Sequence, residues 1–150
     1  MVYFDTSFIA PLLRFESTSN AVRQFIAGLP SGESAISRWT QLEVSSLLAR
    51  DVRMGSLSTD HARRIQLEFD QNIAESFLML TPSRADFDLA RHYLQRYESG
   101  LRSGDALHLA IGANNGAEIF YSLDRGLLRA AEYLGLPASS GIRLPGRGRR

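Results

Sequence analysis

Short apolar runs alternate with longer segments of helical spacing along most of the chain. Each run has the length of a buried strand, and the intervening segments repeat apolar residues every three or four positions. Strands that are separated by helices need crossover connections and therefore pair in parallel. The sequence predicts an α/β fold with a central four- to five-stranded parallel sheet flanked by helices. The four expected strands are Val2-Tyr3-Phe4, Ser34-Ala35-Ile36-Ser37, Phe77-Leu78-Met79-Leu80 and Ile119-Phe120-Tyr121-Ser122, with a possible edge strand at Ile142-Arg143-Leu144.

The segments between these runs carry the signals of helices and of helix ends. Ser83 followed three residues later by Asp86 has the pattern of a capping box, and Ser103 is expected to cap the following helix. A chain of 150 residues fits one domain, which we place at residues 1–144. Residues 145–150 are expected to form a basic, flexible tail. The predicted helices cover about residues 17–29, 39–53, 58–75, 83–97, 103–113 and 125–134.

All basic residues of the chain are arginine, and cysteine is absent. The missing lysine excludes a P-loop and Schiff-base chemistry, and the missing cysteine excludes disulfides, thiolate nucleophiles and zinc-thiolate sites. The formal net charge is +1, so a polyanion would have to bind a local patch. No apolar run reaches the roughly 18 residues that span a bilayer, and the N-terminus lacks the features of a signal peptide. We therefore expect a cytoplasmic protein with no membrane contact.

Four acidic residues are expected at the carboxyl edge of the sheet, where ligands bind in open α/β folds. Asp5 and Asp124 directly follow the first and fourth predicted strands, whereas Glu43 and Asp105 lie near the starts of two predicted helices. Four carboxylates without a cation would repel one another. Oxygen-only ligands suit Mg²⁺ or Mn²⁺, which can activate water and neutralise charge on a phosphate. The four acids therefore predict a divalent-metal site that acts on phosphate esters.

Glu43 carries the strongest single signal among these acids. It lies between Leu42 and Val44, and no basic residue is three or four positions away. An acid after a strand or in the first turn of a helix often serves only as a cap or complements the helix dipole, and Asp105 alone would be interpreted in that way. A half-buried glutamate without a local partner instead indicates a metal or a distant arginine.

The acids lie in motifs that resemble those of the PIN-domain nucleases, and the resemblance covers nearly the whole chain. It extends to the VapC-type toxins of toxin-antitoxin pairs. Each motif is weak alone, but the ordered set is specific. The motifs are Phe4-Asp5-Thr6-Ser7, Gln41-Leu42-Glu43, Ser103-Gly104-Asp105-Ala106-Leu107-His108-Leu109-Ala110 and Ser122-Leu123-Asp124-Arg125.

This resemblance implies a PIN-like fold and a Mg²⁺- or Mn²⁺-dependent endoribonuclease. It also implies an RNA substrate, a homodimer and inhibition by a cognate VapB-like antitoxin. The metal ligands and catalytic residues would be Asp5, Glu43, Asp105 and Asp124, with Thr6, Ser7 and Ser122 orienting carboxylates or water. Two positions depart from the family pattern: Ser122 replaces a threonine, and Gly126 replaces an aspartate that many relatives carry. The second departure predicts that a second metal ion is bound only weakly.

Two alternative functions are compared with the nuclease. A non-catalytic PIN-like module that binds RNA or protein would have the same fold. A haloacid-dehalogenase-like phosphotransferase also begins with an aspartate after its first strand, but it needs a second aspartate at the position of Ser7 and a lysine that this chain lacks. His108 shares a helix face with Asp105 and is interpreted as a packed, hydrogen-bonded core residue outside the catalytic set.

Overall fold

A computed structural model of the chain describes residues 1–146, and residues 147–150 of the expected tail lie outside the described residues. Short 3₁₀ turns lie at Ala10–Leu12, Ala74–Ser76 and Tyr97–Ser99. The strands are β1 (Val2–Phe4), β2 (Ser34–Ser37), β3 (Leu78–Leu80), β4 (Phe120–Tyr121) and β5 (Ala138–Ser139). The helices are α1 (Thr6–Ile9), α2 (Ser19–Ala27), α3 (Arg38–Arg53), α4 (Thr59–Glu68), α5 (Arg84–Leu94), α6 (Ser103–Asn114) and α7 (Arg125–Tyr133).

The five strands form one parallel sheet in the order β3-β2-β1-β4-β5, which confirms the predicted fold class. The first strand is central, with β2 on one side and β4 on the other. The carboxyl ends of these three strands therefore lie side by side. Each is followed by a helix after no more than three residues, so the N-termini of α1, α3 and α7 lie at the same edge.

The predicted edge strand at residues 142–144 is wrong. Gly135, at φ 73°, ends α7, and the chain pairs with β4 immediately afterwards. The Phe120 amide donates to the carbonyl of Pro137 (2.9 Å), and the Ser122 amide donates to that of Ser139 (3.1 Å). The end of α7 thus determines this pairing, since residues 138–139 have little strand character of their own.

Helices cover both faces of the sheet, and each face has its own apolar core. Neighbouring residues of β1 point to opposite faces, as the strand period requires. Tyr3 packs with α6 and α7, and Phe4 packs with α1 and α3. Gly112 allows α6 to approach β4 closely, because a Cβ atom at this position would lie 2.3 Å from Cε1 of Phe120.

Several helix boundaries differ from the prediction. The predicted helix over residues 58–75 ends as an α-helix at Glu68 and continues as a π turn over Phe69–Ile73. The capping box of Ser83 and Asp86 is confirmed, since each side chain accepts from the other's amide. Ser103 is not the cap of α6, because the N-cap position belongs to Arg102, which makes no side-chain cap bond.

The helices of the first half carry more apolar residues than one helix face can hide, and this surplus predicts the dimer and antitoxin interfaces there. Its members are Ala10, Leu12, Leu13, Phe15 and Phe25. Most of this surplus is in the core: Ala10 is buried, and Phe25 packs against Phe8 and Tyr121. Phe15 remains 89% exposed. Within residues 1–146, no helix has the length and apolar character needed to cross a membrane.

Candidate active site

A cleft of about 580 Å³ opens at the carboxyl edge of the sheet. Three of the four predicted acids line it: Glu43 from α3, Asp105 from α6 and Asp124 from the end of β4. The fourth, Asp5, is buried at the end of β1. Its charge acts on Asp105, so the two side chains belong to one electrostatic cluster. The remaining residues of the cleft wall are Gly100, Leu101, Arg102, Gly104, Gly126 and Arg129.

Asp5 is held by three hydrogen bonds. Its Oδ1 accepts from the Ser7 hydroxyl (2.7 Å) and from the Phe8 amide (3.1 Å), and its Oδ2 accepts from Ser122 (2.6 Å). Burial raises the pKa of Asp5, and the charge of His108 and these hydrogen bonds oppose the rise. A carboxylate has about four lone-pair sites, so one site on Oδ2 remains for a further ligand.

Glu43 has a partner that the sequence analysis did not identify. Its Oε1 contacts Nε2 of His108 and accepts from the Thr6 hydroxyl (2.7 Å). Because a carboxylate has only acceptors, Nε2 of His108 must carry the proton of this contact. The other ring nitrogen, Nδ1, lies 2.7 Å from the Tyr3 hydroxyl. The sequence indicated a metal or a distant arginine for Glu43. Its partner within residues 1–146 is a buried histidine and not an arginine, and the metal stays a prediction.

These contacts keep Glu43 ionised. Burial of the side chain raises its pKa, but the hydrogen bond and charge of His108, together with Thr6, lower it further than burial raises it. His108 is 2% exposed, as its interpretation as a packed, hydrogen-bonded residue requires. Its position behind Glu43 fixes Oε1, so that Oε2 is the oxygen left beside Gly104 at the cleft wall.

Asp105 differs from the other acids because no hydrogen bond from residues 1–146 holds its carboxylate. Its pKa is raised from 3.8 to about 6, first by burial and then by the negative charges of Asp124 and Asp5. Glu43 adds to the rise, and the charge of His108 opposes it. Asp105 is thus an acid surrounded by like charges, with both oxygens available at the cleft.

Asp124 is the N-cap of α7. Its Oδ1 accepts from the Leu127 amide (3.0 Å), while its own amide donates to the Ser122 hydroxyl (3.0 Å). The Ser7 hydroxyl lies 3.1 Å from Ser122 and accepts from the Leu123 amide (2.9 Å). The two serines therefore connect the ends of β1 and β4, and with Thr6 they contact the acids that they were predicted to orient.

The sequence profile of the family described as PIN domain matches residues 2–133. This chain belongs to the PIN domain family. No curated protein matches its sequence.

Solved structures with a similar fold include components of toxin-antitoxin systems. VapC20 of Mycobacterium tuberculosis, a sarcin-ricin loop cleaving toxin, has a TM-score of 0.69 and 19% identity, over 87% of this chain and 95% of that chain. FitAcB of Neisseria gonorrhoeae has a TM-score of 0.68 and 18% identity, over 92% and 96%. VapBC2 of Rickettsia felis, bound to a DNA fragment from its promoter, has a TM-score of 0.63 and 12% identity, over 93% and 98%. At these identities the likeness establishes the shared fold.

The donor chemistry of this PIN domain suits a divalent cation. Within residues 1–146, no three histidine, aspartate or glutamate side chains stand in a ready-made metal-binding group. Nevertheless, three acids line one cleft, and the like charges around Asp105 raise its pKa to about 6. A cation among these carboxylates would relieve that repulsion. Hard oxygen ligands in this number fit Mg²⁺ or Mn²⁺.

The structure adds functional candidates that the sequence analysis missed or set aside. His108 positions Glu43, and its only signal in the sequence was the spacing of three residues from Asp105 on one helix face. Arg102 and Arg129 line the cleft beside the acids. Nothing in the local sequence distinguishes these two from the other arginines, because their place in the PIN domain depends on the packing of α6 and α7.

Proposed function

We propose that this PIN domain is a metal-dependent endoribonuclease of the VapC toxin type. The observation that supports the proposal is the position of the Asp105 carboxylate among like charges. This carboxylate accepts no hydrogen bond from the described part of the chain, is repelled by three other acids and lines an open cleft at the carboxyl edge of the sheet. An acid in these surroundings destabilises the fold unless a cation binds it. The family assignment and the toxin-like neighbours support the same activity.

Each acid has a distinct part in the proposed site. Asp105 offers both oxygens, whereas Asp124 offers Oδ2 because its Oδ1 caps α7. Glu43 offers Oε2, and Asp5 offers the remaining lone pair of its Oδ2. When bound, Mg²⁺ or Mn²⁺ would supply a water of lowered pKa and positive charge for the phosphate. Thr6, Ser7 and Ser122 hold the acids in the orientations that leave these oxygens free.

The partners of the proposed toxin are inferred from solved structures with a similar fold rather than from a surface of this chain. We infer a VapB-like antitoxin, because complexes of the VapBC type share this fold. We also expect a homodimer, which sedimentation at micromolar concentration would test. A stable monomer at that concentration would contradict this expectation.

The proposed activity is tested by incubating the purified chain with structured and single-stranded RNA, in Mg²⁺, in Mn²⁺ and in excess EDTA. Cleavage is expected with either metal and not in EDTA. Asp105→Asn should lose cleavage, since it removes the least hydrogen-bonded of the proposed ligands. Asp60→Asn is the matched control, because Asp60 also lies in the first turn of a helix but its side chain is 90% exposed and away from the cleft.

Sequencing the RNA ends would identify the cleaved bond. Expression of the parent, but not of Asp105→Asn, should also arrest bacterial growth. Calorimetry that shows no binding of Mg²⁺ or Mn²⁺, together with intact RNA, would reject the nuclease and favour the non-catalytic module. With the PIN domain family shown, the phosphotransferase alternative has no support from the comparisons.

A further inference from the structure

Two arginines line the cleft together with the acids. Arg102 precedes α6 and Arg129 lies in α7, and both are exposed to solvent. Neither guanidinium forms an ion pair or a side-chain hydrogen bond within residues 1–146, where the arginine ion pairs belong to Arg14, Arg63 and Arg84. Two cations thus share a cleft with three carboxylates without being neutralised by them.

This arrangement differs from that of an arginine with a structural role. Arg14 also borders a cleft near the acids, but its guanidinium pairs with Asp51 (2.9 Å) and with Glu16 (3.2 Å). The charge of such an arginine is already neutralised by carboxylates of the protein. The donor forks of Arg102 and Arg129 remain available for an anion that enters the cleft.

Gly126 keeps the space between Asp124 and Arg129 open. A Cβ atom at this position would lie 3.0 Å from Oδ1 of Asp124 and 3.9 Å from Nη2 of Arg129. The aspartate that many relatives carry here would place a carboxylate next to Arg129. With glycine, Arg129 keeps its charge for a ligand.

We propose that Arg102 and Arg129 bind a backbone phosphate of the RNA strand next to the phosphate that is cut. This inference rests on the proposed function. The cleft wall carries three acids and two arginines, so it repels a phosphate until a divalent cation reverses its charge. Planar guanidinium forks then suit phosphate oxygens, which are shared by every nucleotide and carry no sequence information. The two arginines therefore contribute affinity rather than sequence preference.

The test compares binding of a fluorescent single-stranded RNA to Asp105→Asn, to Asp105→Asn with Arg102→Ala and to Asp105→Asn with Arg129→Ala, with EDTA present to prevent cleavage. Without the Asp105 charge the cleft wall carries two acids and two arginines, so binding does not require a cation to reverse its charge. Each of the two arginine substitutions should weaken binding roughly threefold to tenfold and reduce the slope of log affinity against log salt by about 0.7. Arg64→Ala in the same background is the matched control and should change neither quantity, because Arg64 is an exposed arginine of α4 that has no ion pair with residues 1–146. Single-stranded DNA of the same sequence should show the same losses, since a phosphate contact does not depend on the 2′-hydroxyl.

A second variant separates the phosphate contact from general disruption of the cleft. Gly126→Asp should weaken binding, because its carboxylate would pair with the Arg129 guanidinium, and Arg129→Ala should cost less affinity in the Gly126→Asp background than without it, since that guanidinium is already engaged there. Gly126→Asn has the same shape without the charge and should retain more of the affinity. Arg129→Lys should recover part of the loss, since it restores charge without the fork.

Steady-state cleavage in Mg²⁺ gives the remaining readout. The arginine variants should raise KM for RNA by the factor seen in binding and leave kcat within about twofold. Unchanged KM, affinity and salt slope in both variants would overturn the inference while the nuclease proposal stands. A parent that cuts no RNA but binds it in an arginine-dependent manner would reject the nuclease proposal and retain the phosphate site. Losses confined to RNA would overturn the backbone assignment.

Discussion

Replacing Asp105 with asparagine is expected to stabilise the metal-free protein at neutral pH. Burial and neighbouring negative charges raise the pKa of this carboxyl from 3.8 to about 6. The folded state therefore holds the proton more tightly than the unfolded chain does. The ionised form weakens the fold, and this loss of stability develops as pH rises from the unfolded value through the folded one. Asparagine has nearly the same shape, carries no charge and sacrifices no hydrogen bond.

The magnitude follows from the shift of about two pKa units, which corresponds to about 3 kcal/mol. This figure is an upper limit, because the side chain borders a solvent-filled cleft that screens charge. We expect the variant to exceed the parent by about 1 to 2 kcal/mol at about pH 8 in EDTA. That gain equals about 2 to 8 °C in Tm. Most of it should disappear at about pH 4, where the folded parent holds the proton.

Urea unfolding at the two pH values measures this difference directly. Asp60→Asn serves again as the control and should change stability by less than about 0.5 kcal/mol at either pH. Added Mg²⁺ should stabilise the parent more than the variant, since the ion loses one ligand. An Asp105→Asn protein with no advantage at high pH, or with the same advantage at both values, would refute the interpretation of Asp105 as an acid among like charges.

Three further substitutions test the surroundings of the site by urea unfolding. His108→Ala should destabilise the fold by about 2 to 4 kcal/mol, because it removes a buried ring and the partner of Glu43; a loss below about 0.5 kcal/mol would show that the contact is unimportant. Glu43→Gln should be destabilising at neutral pH and should lose this effect as pH falls below the ordinary value of 4.5, since the folded pKa is lowered. Gly112→Ala should cost about 1 to 3 kcal/mol through overlap with Phe120, against a helix-propensity gain of about 1 kcal/mol. An alanine variant as stable as the parent would show that α6 moves away freely.

Much of the fold could be predicted from the alternation of apolar runs and helical segments. The four strands were located to within one or two residues, because each is a buried apolar run. The fifth strand was misplaced. Ile142 and Leu144 have the alternation of a strand. Ala138 and Ser139 nevertheless pair with β4, because the end of α7 places them beside that strand. Local pattern cannot identify an edge strand whose pairing is determined by the end of the preceding helix.

The candidate site was predictable to the extent that its residues lie at strand ends. Asp5 and Asp124 lie at one edge because β1 and β4 are neighbours, a pairing that the order of elements along the chain does not determine. The contact between Glu43 and His108 joins residues far apart in the chain, and its existence depends on how α3 packs against α6. Tertiary contacts of this kind have no local signal, so Glu43 looked like an acid without a partner.

The close approach of α6 to β4 bears on which ion the proposed site would accept. Gly112 lies about two helical turns beyond Asp105, and the ring that it touches belongs to the strand that leads to Asp124. The absence of a side chain there holds the two acid-bearing elements together and so limits the separation of their carboxylates. Mg²⁺ requires oxygens at about 2.0 to 2.1 Å, whereas Ca²⁺ accepts about 2.3 to 2.6 Å. Selectivity for ionic radius would then be controlled by a glycine that never contacts the ion.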